Sequence, residues 1–182
     1  MADWLLDGAT RDAQSVDAEW MPVDVLRIDG VVVQEVRHVA TRAVVLTEMY
    51  RTDWHVDSRT VEQVFQSVFA RDAISAWHAH EEAQDRLFVA SGLLLIALFD
   101  PRPQSPTFGL VNEFLFGELR PALVCVPPKV WHGVANVGDG TSTLVNIVDR
   151  AYSYEAPDHW RLPLDSSAIP YDIVARARAS RG

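Results

Sequence analysis

Trp77-His78-Ala79-His80-Glu81-Glu82-Ala83-Gln84-Asp85-Arg86-Leu87-Phe88-Val89-Ala90-Ser91-Gly92 is the stretch on which the fold of this 182-residue chain turns. Side chains two apart on a strand share a face, so His78 and His80 enter one pocket while Trp77 turns to the opposite, outer layer. Asp85 follows His80 within the next turn, and Gly92 closes the segment ahead of the apolar run Leu93–Phe99. A second histidine segment, Pro127-Pro128-Lys129-Val130-Trp131-His132-Gly133-Val134-Ala135-Asn136, has the same build. Trp131 directly precedes His132, and alternation sends that indole outward as well.

Working outward, short runs rich in Val, Phe, Ile and Thr alternate with turn residues. They are Val23–Ile28, Val31–Val36, Val44–Tyr50, Val61–Phe69, Ile74–His80, Arg86–Ala90, Leu93–Phe99, Leu110–Phe116, Ala122–Val126, Trp131–Asn136 and Thr143–Val148. Asp29-Gly30 between the first two reads as a hairpin turn, and Asp100-Pro101-Arg102-Pro103 and Gly138-Asp139-Gly140 mark others. Strands at this spacing indicate an all-β sandwich or jelly roll. Trp4 to Trp20 reads as a short helix and lead-in, and Pro157 to Gly182 as an irregular wrap ending in a short Ala/Arg-rich helix. This gives one domain: a lead-in over 1–22, a barrel over 23–156 and a C-terminal wrap over 157–182.

The two histidine segments match the paired motifs of the cupins. In the first, Asp85 stands where Glu is usual; in the second, Pro127, Lys129, His132 and Asn136 hold the spacing, with Lys129 in place of Gly. The resemblance implies a cupin-type jelly-roll β-barrel with short peripheral helices at the termini. His78, His80, Asp85 and His132 are together a candidate set for one divalent transition metal, since imidazole and carboxylate suit Fe, Mn, Ni or Zn. A metal-free polar pocket using the same histidines for acid–base work is the other reading, and Asp85, one methylene shorter than Glu, favours it. His38 and His55 read as exposed or edge positions, and His159 as part of a surface turn.

Composition narrows the classes. Hydrophobic residues at 48% and charged residues at 23% are an ordinary globular balance. A net charge of −9 opposes general nucleic-acid binding, which needs a basic face. The longest apolar stretch, Leu93–Phe99, is too short to span a bilayer. Met1 to Arg11 shows no signal-peptide pattern, and the one cysteine, Cys125, lies in an apolar run and forms no intrachain disulfide. These features lead to the expectation of a reducing, cytoplasmic setting.

With those residues in hand, the stretch from about Arg42 to Tyr171 resembles the dTDP-4-dehydrorhamnose 3,5-epimerase family, in a divergent branch with a Trp-His-x-His motif. The matching pieces are Glu48-Met49-Tyr50-Arg51-Thr52-Asp53, Trp77-His78-Ala79-His80, Leu98-Phe99-Asp100 with Ser105-Pro106-Thr107-Phe108-Gly109, Val126 to Gly133, Pro157 to Pro163, and Ile169-Pro170-Tyr171-Asp172. The resemblance implies that His78 is a general base removing protons next to the ketone of a nucleotide-linked keto-deoxysugar, oriented by Asp165, with His132 donating to the enolate. It implies Arg42, Arg51, Arg86, Gln63 and Asn146 as substrate-binding residues, no required cofactor, and a homodimer formed through the region Val23 to Tyr50. The chain also departs from the family. Ser75 stands where the family has Arg, Arg86 at the place of a catalytic Lys, and Val145 at the place of the acid Tyr. Three functions stay open at this point: an isomerase acting through His78, a metal-dependent cupin enzyme (dioxygenase, lyase or isomerase), and a non-catalytic cupin binding a small ligand.

Overall fold

A computed structural model of the protein describes residues 4–18, 22–23 and 25–180. Its strands, in chain order, are β1 (Val32–Glu35), β2 (His38–Ala40), β3 (Val45–Thr47), β4 (Gln63–Phe69), β5 (Ile74–Ala79), β6 (Asp85–Ser91), β7 (Leu93–Phe99), β8 (Val111–Gly117), β9 (Ala122–Val126), β10 (Trp131–Asn136), β11 (Ser142–Val148) and β12 (Trp160–Arg161), followed by the helix α1 (Ile173–Ala179). They form two five-stranded sheets, ordered β1-β9-β6-β11-β4 and β12-β5-β10-β7-β8, and a separate β2-β3 hairpin. The paired strands are antiparallel. Among the described residues no helix is long and apolar enough to cross a membrane.

The continuous apolar runs β7 and β9 arise because both faces of each sheet are covered, which removes the alternation of a half-solvated strand. Leu94, Ile96 and Leu98 of β7 meet Leu87, Val89, Val124 and Val126 between the sheets. Leu95, Ala97 and Phe99 face outward under Trp77, Ile169 and Ile173. The outer face of the other sheet, with Phe88, Leu123, Cys125 and Ile147, is covered by Tyr50, Trp54 and Val56. Cys125 is a core hydrophobe as expected, and burial pushes its thiol up to about 12. Helix α1 is capped by Asp172, whose carboxylate accepts from the amides of Val174 and Ala175.

Three expectations are corrected. The jelly roll is an open two-sheet sandwich, not a closed barrel. Residues 4–18 contain turns and an isolated bridge from Val16 to Pro22, with no helix; Trp20 lies outside the described residues. The stretch read as a strand from Val23 to Ile28 is irregular over its described residues, and Asp24 lies outside them. There the side chain of Asn112 on β8 replaces a strand partner: its amide donates to Leu26 O and its oxygen accepts from Ile28 N, both at 2.9 Å. The Asp29-Gly30 turn forms, but β1 beyond it pairs with β9.

Gly92 and Lys129, the two glycine positions of the paired cupin motifs, both lie in left-handed backbone, at φ +74 and +66. At Gly92 a Cβ would lie 2.2 Å from Ser142 Oγ and 2.9 Å from its Cα. At Lys129 the left-handed turn aims the amide at His80 O, 2.7 Å away, tying one histidine segment to the other. Gly92→Ala is therefore expected to cost about 1–3 kcal/mol through overpacking and strain. Lys129→Gly is expected to be neutral or to stabilise by up to about 1 kcal/mol. Urea midpoints of the two variants check the pair.

The Ser-Pro-Thr-Phe-Gly stretch has a structural purpose. Asp100, with no exposed surface, accepts from Arg102 Nε (2.7 Å), Ser105 Oγ (2.6 Å) and Thr107 Oγ1 (2.7 Å). Burial alone would push this carboxyl up; the hydrogen bonds from Arg102, Ser105 and Thr107 outweigh it and hold the group well below the carboxylate range. A folded value below the unfolded one, about 3.9, contributes stability above the unfolded value that is lost as pH falls toward the folded one. Asp100→Asn is expected to flatten the acid limb of the stability curve below about pH 4, measured by urea unfolding across pH.

Candidate active site

Between the inner faces of the two sheets lies an open cleft of about 1330 Å³. Its walls come from alternate residues of β4, β6 and β11, among them Gln63, Asp85, Leu87, Leu144 and Asn146. The facing wall comes from β5 and β10. The register of β5 against β10 shifts between His132↔His78 and Val134↔Ser75. This bulge changes the parity of β5, so Ser75 and His78 both reach the cleft.

His78 sits on the cleft wall with both ring nitrogens engaged. Arg161 Nη1 donates to Nδ1 at 3.0 Å, and Nε2 lies 2.9 Å from Ser75 Oγ. A guanidinium only donates, so Nδ1 carries the lone pair and Nε2 the hydrogen of the neutral ring. Burial, followed by the electrostatic influence of neighbouring His132 and the charge of Arg161, lowers His78 to about 4.

Deeper in the cleft, Asp85 is the centre of a buried cluster. Its Oδ2 lies 3.3 Å from His80 Nε2 and 3.1 Å from His132 Nε2, and its Oδ1 accepts from Asn146 Nδ2 at 3.0 Å. Burial opposes ionisation of Asp85, but the hydrogen bonds from His132 and His80 hold it far below the carboxylate range. Burial would likewise lower His80, yet the hydrogen bond and charge of Asp85 raise it. His80 Nδ1 is hydrogen-bonded to the carbonyl of Asp158. The Asp158 carboxylate accepts from the amides of Glu81, Glu82 and Ala83 at 2.7, 2.9 and 3.0 Å, which fixes the turn from His80 toward Asp85.

The expected residues divide sharply. His78, His80, Asp85, His132, Gln63 and Asn146 all line the cleft. Asp165 does not: it lies exposed in a turn after β12, and Arg161 occupies His78 Nδ1 instead. Arg86 is fully buried and faces away from the cleft, locked to Asp57. Arg42 is exposed between β2 and β3, and Arg51 is exposed and paired with Glu48 and Asp53. Val145 also faces outward; the cleft-facing positions of β11 are Leu144, Asn146 and Val148, so that strand offers no tyrosine under either register. His159, read as a surface turn residue, lines the cleft with its ring centroid 4.6 Å from that of His80. Arg59, Arg150, Arg161 and Tyr152 complete the polar wall. Arg161 stands inside the matched Pro157–Pro163 piece, but its pairing with His78 is a long-range fact. His38 and His55 are exposed, as expected.

An antiparallel two-sheet jelly roll with histidines from two of its strands meeting over a cleft is the architecture of a cupin-type protein. The chain belongs to the dTDP-4-dehydrorhamnose 3,5-epimerase family, whose profile matches residues 25–178, and is an enzyme of the isomerase kind. It is 34% identical over 128 residues to the probable low-salt glycan biosynthesis epimerase of Haloferax volcanii, covering 70% of this chain and 82% of that one. It is 28% identical over 148 residues to the spore coat polysaccharide biosynthesis protein SpsL of Bacillus subtilis, covering 80% and 95%. A solved dTDP sugar isomerase from Desulfovibrio desulfuricans superposes with a TM-score of 0.73 at 26% identity, covering 79% of this chain and 90% of that one.

Proposed function

We propose that His78 removes a proton from a carbon next to the ketone of a nucleotide-linked 4-keto-deoxyhexose, and that the proton returns on the other face to invert the centre. The observation that carries this reading is a neutral imidazole on the wall of a cleft large enough for a sugar nucleotide, backed by one cation without a carboxylate partner. A ketone acidifies its neighbouring C–H bonds, and a positioned imidazole supplies the base. The nucleotide part rests on charge. Arg59 pairs with Asp149 and Arg150 with Glu82, whereas among the described residues Arg161 pairs with no carboxylate. A diphosphate in the cleft takes that guanidinium, and the move frees His78 Nδ1 and removes a nearby positive charge that weakens the base. The His80–Asp85–His132 cluster faces the same space and is the candidate for stabilising the enolate oxygen. Tyr152, on the cleft wall with its ring 5.7 Å from His159, is the candidate for returning the proton.

The β2-β3 hairpin leaves Val39, Val45 and Leu46 exposed at 58%, 64% and 54%. Among the described residues it pairs with no other strand. A homodimer through this hairpin covers those side chains, and it is also where Arg42 and Arg51 would meet a second subunit.

The test is incubation of the protein with a dTDP-4-keto-6-deoxyhexose in D₂O. Gain of deuterium in the sugar supports the reading. Tight binding of the nucleotide sugar with no exchange contradicts it and leaves a binding module.

A further inference from the structure

His78 is held between a donor and an acceptor. Arg161 Nη1 donates to its Nδ1 at 3.0 Å, and Ser75 Oγ stands 2.9 Å from its Nε2. A guanidinium has no lone pair to offer, so the neutral ring carries its hydrogen on Nε2, and Ser75 accepts it. Which nitrogen keeps the lone pair is set by the bond that the other one makes. With both nitrogens engaged, His78 stands apart from the metal set expected from the motifs.

This polarity differs from the one that the sequence resemblance implies. There Asp165 orients His78, and an arginine stands at position 75. In this chain Asp165 is exposed in a turn after β12, and other residues fill both places. The arginine comes from β12, where Arg161 is paired opposite His78. The acceptor comes from β5 itself. Residues three apart on a regular strand point to opposite faces. The register of β5 against β10 shifts between His132↔His78 and Val134↔Ser75, and this removes the opposition, so Ser75 and His78 both line the cleft. A bulge beside a site re-aims a side chain; here it brings a hydroxyl to the imidazole. Ser75 Oγ makes no other hydrogen bond to a described residue.

We infer that Ser75 is the positioning residue of the base: its hydroxyl holds the Nε2 hydrogen of His78, so that Nδ1 is the atom that takes the substrate's proton. This role rests on the reading of His78 as the base, and it adds which atom acts and what orients it. A diphosphate that draws Arg161 away leaves Ser75 as the one hydrogen-bond partner of the ring among the described residues. The lone pair therefore stays on Nδ1 at the moment that atom is exposed. The proton passes from carbon to Nδ1, the C–H electron pair passes into the enolate, and Nε2 keeps its hydrogen on Ser75 throughout.

The experiment uses full-length protein whose histidines carry an NMR-active nitrogen isotope. Long-range proton–nitrogen spectra at neutral pH report both ring nitrogens, and His78 is assigned by its loss in His78→Asn. Nδ1 is expected at the shift of an unprotonated nitrogen and Nε2 at that of a protonated one, with and without dTDP. Ser75→Thr and Ser75→Val match in shape and differ by one hydroxyl, which separates positioning from packing. In Ser75→Val, kcat for solvent exchange into a dTDP-4-keto-6-deoxyhexose is expected to fall about 2–10-fold, the contribution of one neutral hydrogen bond, with dTDP affinity unchanged. Ser75→Thr is expected to return toward wild type. Ser75→Arg gives the position its family residue, turns a donor toward Nε2, and is expected to lie below Ser75→Val. Circular dichroism confirms that each variant is folded. Equal rates in Ser75→Val and Ser75→Thr, or a gain in Ser75→Arg, overturn the role of Ser75. Wild type that exchanges but shows the two nitrogens reversed also overturns it, and leaves His78 as the base. Wild type that binds the nucleotide sugar without exchange overturns the base reading itself, and the role of Ser75 with it.

Discussion

Replacing Arg86 by alanine is expected to lower the unfolding free energy by about 3–5 kcal/mol, read as a drop in the urea midpoint. The guanidinium has no exposed surface. Its Nη2 and Nε donate to the two oxygens of Asp57 at 2.6 and 2.7 Å, and its Nη2 also donates to Arg59 O at 2.9 Å. The ring of Tyr50 packs 5.4 Å from the guanidinium carbon. Truncation strands the Asp57 carboxylate, whose side chain is only 14% exposed, and unstitches the segment after Trp54 that covers the outer face of the first sheet. Removing both charges together, as Arg86→Met with Asp57→Leu, is expected to restore much of the loss, because the penalty comes from the orphaned partner. A small change in stability accompanied by weak nucleotide binding would instead return Arg86 to the substrate-contacting role that the sequence resemblance implies.

The second large effect is on chemistry. His78→Asn is expected to slow proton exchange at the substrate by about 10²–10⁴-fold, the usual contribution of a positioned base, while dTDP affinity changes little. Asparagine retains a polar group beside Ser75 and leaves Arg161, Arg59 and Arg150 in the cleft. The pH profile adds a sign. A His78 value lowered to about 4 by burial and neighbouring positive charge keeps the ring neutral above that pH. Protonation of His78 in the free enzyme therefore produces no fall in kcat/KM between pH 8 and 5. Arg161→Gln removes one of those charges, so the acid limb is expected to move upward. Initial rates across pH, with wild type and both variants, check these statements.

The sequence was most legible where one residue's environment follows from its near neighbours. Leu93–Phe99 and Ala122–Val126 are strands at the expected bounds, because continuous apolar runs between turn residues mark strands buried on both faces, and Trp131–Asn136 is also a strand at its expected bounds. His78 and His80 share the cleft because the alternation rule holds over two residues. It was less legible where register decides. A one-residue slip exchanges the faces of a strand, and that slip separates Arg86 from Asp85 on β6 and Val145 from Asn146 on β11. In both cases the outward residue is the one that the family resemblance matches to a catalytic position. The bulge in β5 that turns Ser75 and His78 to the same side depends on pairing with β10, far along the chain. Asp165 and Arg161 tell the same story for the C-terminal wrap. Arg161 lies inside the matched Pro157–Pro163 piece and Asp165 just past it, but only the pairing of β12 with β5 places Arg161 opposite His78. His159 lies in the matched Pro157–Pro163 piece, but nothing local turns it inward; it lines the cleft beside His80, after the Asp158 carboxylate that holds the His80 turn.

The central claim, proton abstraction next to a ketone by His78, is tested most directly by position-resolved NMR of a dTDP-4-keto-6-deoxyhexose in D₂O with wild-type protein and with His78→Asn. The account predicts deuterium at one or both carbons flanking the ketone with wild type, and exchange near the uncatalysed rate with the variant. Exchange that is undiminished in folded His78→Asn, or absent in wild type that binds the nucleotide sugar, would contradict it.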